Sequence, residues 1–196
     1  MARDTLAEVS DETLVVLYAN GDPEAARLLA HRFLPRVLGY AGRLLADRVE
    51  AEDIAQEAML RLWKVAPEWR QGEAKVSTWL YRVVTNLCTD RLRARQRRRT
   101  EALDAVAEPE DRAASVVSHM MDADRLAALN AALSGLPDRQ REAVVLRHIE
   151  GLANPEIAEI MQIGIEAVES LTARGKRALT AALSGQREAL GYEEAE

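Results

Sequence analysis

Hydrophobic positions in this chain recur every three to four residues, in stretches separated by short breaks rich in Gly, Pro, Asn and Asp. That spacing predicts successive amphipathic helices. Ser10 or Asp11 caps a short first helix carrying Leu14, Val15 and Leu17, closed by Asn20-Gly21. Asp22-Pro23-Glu24 then supplies a cap, a proline at the first position and an acid in the first turn. The helix it opens sets Ala26, Leu29, Phe33, Val37, Tyr40 and Leu44 at helical spacing. Pro35 inside it predicts a kink or break near Leu34. A third helix spans roughly residues 51–65, with Ile54, Ala58, Leu62 and Val65 toward a core and Asp53, Gln56 and Glu57 toward solvent or a partner. A polar loop with Trp69 and Gly72 follows, at 67–76.

From Ser77 a fourth helix places Trp79, Leu80, Val83, Val84 and Leu87 along one side and then turns cationic, with six arginines between Arg91 and Arg99. A packed helix of this kind holds something anionic at a fixed position relative to a core. Nucleic-acid phosphate is the leading candidate. Beyond Arg99 the pattern weakens: residues 100–121 are acidic and alanine-rich with Pro109, and they read as a linker. Helical spacing returns at residues 122–133. It continues after the Gly135-Leu136-Pro137 turn at 139–149, in a short helix opened by Asn154-Pro155-Glu156, and in a last helix from about Ile165 to Leu183. The expected organisation is all-α, with a first domain at 1–99, a linker at 100–121, a second domain at 122–184 and an acidic tail at 185–196.

Composition narrows the chemistry. The 196 residues carry a net charge of −6, so the arginine cluster is local and the chain is no general coat for polyanions. Low aromatic content and abundant Ala and Leu favour helices over sheets. No run of about 18 apolar residues exists and the N-terminus lacks a signal-peptide pattern, which points to the cytoplasm. The single cysteine, Cys88, beside the apolar face of its helix, reads as a small core residue. His31, His119 and His148 are scattered without partners at ligand spacing, and neither a phosphate loop nor a nucleophile motif is present. The expectation is a recognition protein with no metal, no cofactor and no catalysis of its own.

A short helix, a glycine-bearing turn and a longer helix between Pro155 and Leu183 outline a helix-turn-helix. Ile157, Ala158, Ile160, Ile165, Val168 and Leu171 would form its seam. Glu166, Glu169, Ser170, Thr172 and Ala173 would face the groove, and Arg174, Lys176 and Arg177 would meet phosphates. The outline alone leaves DNA binding and plain helical packing equally open.

Asp53-Ile54-Ala55-Gln56-Glu57 through Leu62-Trp63 resembles the central helix of the second conserved region of bacterial sigma factors. Ser77 to Arg82, then Asn86, Asp90 and Arg91, resemble that region's promoter-melting segment. Leu136-Pro137, Gln140-Arg141-Glu142, Leu146-Arg147, Gly151-Leu152, Glu156-Ile157-Ala158 and Val168-Glu169-Ser170 are similar to the fourth region. Short of anything substantial between the two, the chain resembles the compact extracytoplasmic-function group. The resemblance implies that Asp53, Gln56 and Glu57 face the clamp helices of core RNA polymerase. It implies that Asn86 holds a flipped base of the −10 element, an amide being able to both donate and accept on a Watson–Crick edge. Trp79, Arg82, Asp90, Arg91, Arg93, Arg95 and Arg98 lie in the same DNA-binding segment, although the apolar stripe assigns Trp79 to the core. The helix-turn-helix would read the −35 element, and an anti-sigma factor is the implied regulator.

One position departs from the family. Where it often carries Lys or Arg this chain has Glu169, which accepts from cytosine but is repelled by phosphate. A narrower upstream preference is the expectation. Two other readings stay open at this point: a sigma-like decoy that binds an anti-sigma factor without touching promoters, and a stand-alone helix-turn-helix repressor.

Overall fold

The computed structural model describes residues 9–70, 72, 75–101 and 120–184, side chains at 101 and 120–124 excepted, and among them every regular element is helical. In chain order these are α1 (Asp11–Ala19), α2 (Pro23–Leu45), α3 (Arg48–Val65), a 3₁₀ turn (Ala66–Glu68), α4 (Val76–Glu101), α5 (Met120–Ser134), α6 (Asp138–Val144), a π turn (Val145–Ile149), α7 (Asn154–Met161) and α8 (Ile165–Ser184). The expected linker and tail lie almost wholly outside the described residues. None of the described helices is long and apolar enough to cross a membrane.

The starts of the first three helices follow their caps. The Ser10 hydroxyl accepts from Thr13 N, Asp22 accepts from Glu24 N and Ala25 N, and Asp47 accepts from Glu50 N. Arg32 donates to Val9 O and pairs with Asp11 at 2.6 Å, which pins α1 along α2.

Pro35 does not break α2, which runs unbroken for 23 residues. Its ring lies on the exposed side between buried Phe33 and Val37. There the unpaired carbonyl one turn earlier meets water, while apolar burial on the opposite side carries the helix through. The start of α7 also differs from expectation. Ala153, not Asn154, is the cap residue, and Glu156 reaches back to accept from Ala153 N at 3.0 Å.

Helices α1 to α4 form one bundle around Leu29, Phe33, Tyr40, Leu62, Leu80 and Val84, all within 1% of full burial. At its centre the Tyr40 and Thr85 hydroxyls lie 2.7 Å apart, and the Tyr40 and Tyr81 rings meet edge to face at 5.2 Å. The buried side of α4 is Val76, Leu80, Tyr81, Val84, Thr85 and Cys88, while Trp79, Val83 and Leu87 are only partly buried. The apolar stripe is thus rotated from the sequence expectation, because α4 is covered from two directions: by α2 and α3 on one side and by α7 on the other.

Helices α5 to α8 build the second bundle around Leu133, Leu146, Ile157, Ile160 and Val168. Ile165, expected in its seam, is 46% exposed, while Met161 is buried. The tight fit of α8 on α6 rests on Gly175. A Cβ there would lie 2.5 Å from Val144 Cγ2 and 3.2 Å from Gln140 O.

The bundles are packed against each other. Tyr81 on α4 donates to Glu150 at the end of the π turn, and Arg43 on α2 approaches the same carboxylate at 3.8 Å. Lys75 Nζ lies 2.8 Å from Glu156 Oε1 on α7. Arg141 on α6 donates to the Leu44 carbonyl at the end of α2.

Candidate nucleic-acid interface

The periodicity that buries one side of α4 exposes the other. Arg82, Asn86, Asp90, Arg93 and Arg97 follow at steps of four, four, three and four residues and so share a face; Arg82 is half-buried and the other four are exposed. Neither bundle covers this face. Asp90 lies 4.0 Å from Arg93, a solvent-exposed and therefore weak pair. The Asn86 side chain makes no hydrogen bond among the described residues, so its amide is free to engage an added partner.

The cationic end divides into two sets. Arg95 is held inside the bundle: it donates to the Leu45 carbonyl at 2.9 Å and pairs with Asp47 at 3.0 Å and Glu50 at 2.8 Å. Arg91 approaches the same Glu50 at 3.8 Å. These two arginines tie α4 to the start of α3. Arg93, Arg97, Arg98 and Arg99 are exposed. A cavity of about 710 Å³ lies between this end and α6, lined in part by Leu44, Leu92, Arg93, Arg99 and Arg139. Trp79 is half-buried, its ring edge to face with Trp69 at 5.9 Å.

On α3, Asp53, Gln56 and Glu57 are all exposed. Glu57 is engaged by Arg61 at 2.8 Å. Asp53 and Gln56 have no polar partner among the described residues.

On α8, Glu166, Glu169, Ser170, Ala173, Arg174 and Arg177 share an exposed face, with Lys176 exposed on its flank. Val168 and Gly175 form the buried side. Thr172 stands apart from the rest: it is half-buried and its hydroxyl points away from solvent, so it edges the face. Glu169 Oε1 accepts weakly from Asn154 Nδ2 at 3.4 Å, which steadies the acid over the start of α7.

Two groups escaped the sequence reading of the site. Arg141 is buried and donates to the Leu133 carbonyl at 3.0 Å and the Leu136 carbonyl at 3.1 Å, closing the end of α5 while also reaching Leu44. Glu142 is 4% exposed and bonded by Arg139 at 3.2 Å, while its other carboxylate oxygen is buried without a partner. Burial pushes its carboxyl up to about 7. Burial likewise holds the Cys88 thiol up at about 12, with the Glu142 charge adding to it, so this cysteine stays protonated at neutral pH. The only prior signal for Arg141 and Glu142 was the Gln140-Arg141-Glu142 motif itself; nothing in local patterning marks an acid for burial between two bundles.

Comparison with known proteins accounts for both bundles. Residues 29–98 match the family model for sigma-70 region 2, and residues 126–179 match that for sigma-70 region 4. The chain is 32% identical over 187 residues to the RNA polymerase sigma-H factor of Pseudomonas aeruginosa, covering 91% of this chain and 96% of that one. It is 33% identical over 169 residues to the ECF sigma factor SigW of Bacillus subtilis, covering 81% and 89%. In fold it is similar to CnrH in complex with the cytosolic domain of CnrY, with a TM-score of 0.65 and 24% identity, covering 89% of this chain and 97% of that one. It is also similar to RpoE in complex with the anti-sigma factor NepR from Bartonella quintana, with a TM-score of 0.66 and 23% identity, covering 79% and 94%. With both family models matched in order and full-length relatives above 30% identity, the chain belongs to the extracytoplasmic-function family of RNA polymerase sigma factors.

Proposed function

We propose that three surfaces divide the work of this sigma factor. The Asp53 and Gln56 side of α3, with Glu57 at its edge, binds the clamp helices of core polymerase. The outer face of α4 captures the melted −10 strand, Asn86 holding a base while Arg93, Arg97 and Arg98 follow phosphates. The outer face of α8 reads the −35 element. In this scheme Arg91 and Arg95 position α4 against α3, and phosphate contacts fall to their exposed neighbours. Strand chemistry belongs to the polymerase, and the site of action is the cytoplasm. By analogy with RpoE bound to NepR, an anti-sigma factor holds the protein between uses.

The observation that carries this reading is shared by α4 and α8. Each buries one side in a core and leaves the opposite side uncovered, with exposed arginines beside polar groups able to read bases. Run-off transcription with purified core polymerase is the test. Selective initiation is the expected result. Initiation no more selective than that of core alone would make the protein a decoy, and a footprint on DNA without polymerase would make it a repressor.

A further inference from the structure

Helix α3 packs well along its inner side, yet it leaves two large apolar side chains in water. Val49 is 70% exposed and Leu60 is 54% exposed. They do not lie at random. Val49, Asp53, Gln56 and Leu60 follow at steps of four, three and four residues, which places all four within a narrow arc of one helix face. Over those eleven steps the helix advances about 16 Å.

The polar groups around this stripe sort themselves in the same way. Glu52 and Glu57, on its two flanks, are engaged by Arg48 at 3.0 Å and Arg61 at 2.8 Å. Asp53 and Gln56, within it, have no partner among the described residues. The result is an apolar residue at each end, an unengaged acid and amide between them, and neutralised carboxylates along the borders. Isolated exposed apolar residues need no explanation, but an aligned pair bracketing unsatisfied polar groups has the make-up of a docking face.

We propose that Val49 and Leu60 are part of the polymerase-binding surface, as two apolar anchors on either side of the Asp53–Gln56 contact. This rests on the reading of α3 as the clamp-facing helix and extends it. The occupant is a helical surface of core polymerase that offers arginine or lysine to Asp53 and apolar side chains to Val49 and Leu60. The acid orients the encounter, and water-excluding contacts at both ends slow departure.

The test is equilibrium binding of the fluorescently labelled full-length chain to core RNA polymerase, at two salt concentrations, for Val49→Ala, Leu60→Ala and Asp53→Ala. Alanine keeps α3 helical, and thermal melts should match wild type because both apolar side chains stand in solvent. Each apolar truncation is expected to weaken binding by about tenfold or more, and to do so equally at low and high salt, since about two carbons of apolar burial are lost in Val49→Ala and about three in Leu60→Ala. The Asp53→Ala effect should shrink as salt rises. If Asp53→Ala weakens binding while both apolar variants bind like wild type, the anchors are wrong and the polymerase-facing reading of α3 stands. If none of the three variants weakens binding, both fall together.

Discussion

Tyr81, in the middle of α4, donates its phenolic hydrogen to Glu150, which ends the π turn of the second bundle. Burial and the Glu150 bond together raise the Tyr81 hydroxyl well above its usual titration range, so it is a donor at every physiological pH. Removing it in Tyr81→Phe leaves Glu150 8% exposed and dependent on Arg43 at 3.8 Å. The packing of the two bundles should loosen by about 1–2 kcal/mol. Fluorescence transfer between dyes on α1 and α8 should report a larger mean separation in the variant, and an unchanged distance distribution would show that this bond does not hold the bundles together.

Glu142 predicts a pH dependence of known sign. Its carboxyl is raised from an ordinary 4.5 to about 7 by burial, against which Arg139 acts only in part. An acid whose folded value is raised favours the packed state fully below 4.5, and that contribution is lost as pH climbs through about 7. The packed protein should therefore weaken between pH 5 and pH 8, by up to roughly 3 kcal/mol from this group. Urea midpoints taken across that range should fall for wild type. They should stay flatter for Glu142→Gln, which keeps an acceptor for Arg139 and carries no charge to bury.

Much of this fold could be read in the chain because its helices announce their own ends. Ser10 and Asp22 cap where expected and α8 starts at Ile165 as read, whereas α3 begins at Arg48 behind an Asp47 cap that its periodicity does not mark. What could not be read were the consequences of one bundle lying on the other. The buried side of α4 is rotated from its apolar stripe toward Tyr81, Thr85 and Cys88, because periodicity records that a side is apolar and not how many neighbours cover it. Arg95 looked like the arginines around it until Asp47 and Glu50, some 45 residues away, were seen to claim it. Val49 and Leu60 carry no mark of their own, because apolar residues at helical spacing read as core wherever they fall.

Gly175 shows the same limit at a single atom. It looks like a weak point in a helix, worth about 1 kcal/mol to replace with alanine. In the structure that alanine would press its Cβ against Val144 Cγ2 at 2.5 Å and the Gln140 carbonyl at 3.2 Å, and the latter is backbone that cannot swing aside. Gly175→Ala should lower the melting temperature, with overpacking costing about 1–3 kcal/mol and outweighing the gain in helix propensity. A melting temperature at or above wild type would mean that α8 sits further from α6.

Glu169 should set the upstream sequence that is used. It projects from the outer face of α8 beside Asn154, which holds it at 3.4 Å. Replacing an acceptor with a cation exchanges cytosine for guanine as the favoured partner. Glu169→Lys should shift the −35 sequence recovered when promoters are selected from a randomised pool. Asn154→Ala, which only frees the acid, should blur the preference without changing it. Selection profiles identical to wild type for both variants would remove Glu169 from the groove.

The division among the arginines of α4 separates fold from function in one experiment. Arg95 joins α4 to Asp47, Glu50 and the Leu45 carbonyl, so Arg95→Ala removes three contacts at a half-buried junction and leaves Glu50 to Arg91 at 3.8 Å. Its loss should cost stability, on the order of 1–3 kcal/mol, and be visible in a thermal melt without any DNA. Among the described residues the polar contact of Arg98 is to the Ala94 carbonyl of its own helix, weakly, at 3.4 Å. Arg98→Ala should melt like wild type and instead lower holoenzyme affinity for promoter DNA, with the slope of log affinity against log salt reduced by about one. Equal melting temperatures for the two variants would put Arg95 back among the phosphate contacts. An unchanged salt slope for Arg98→Ala would remove Arg98 from them.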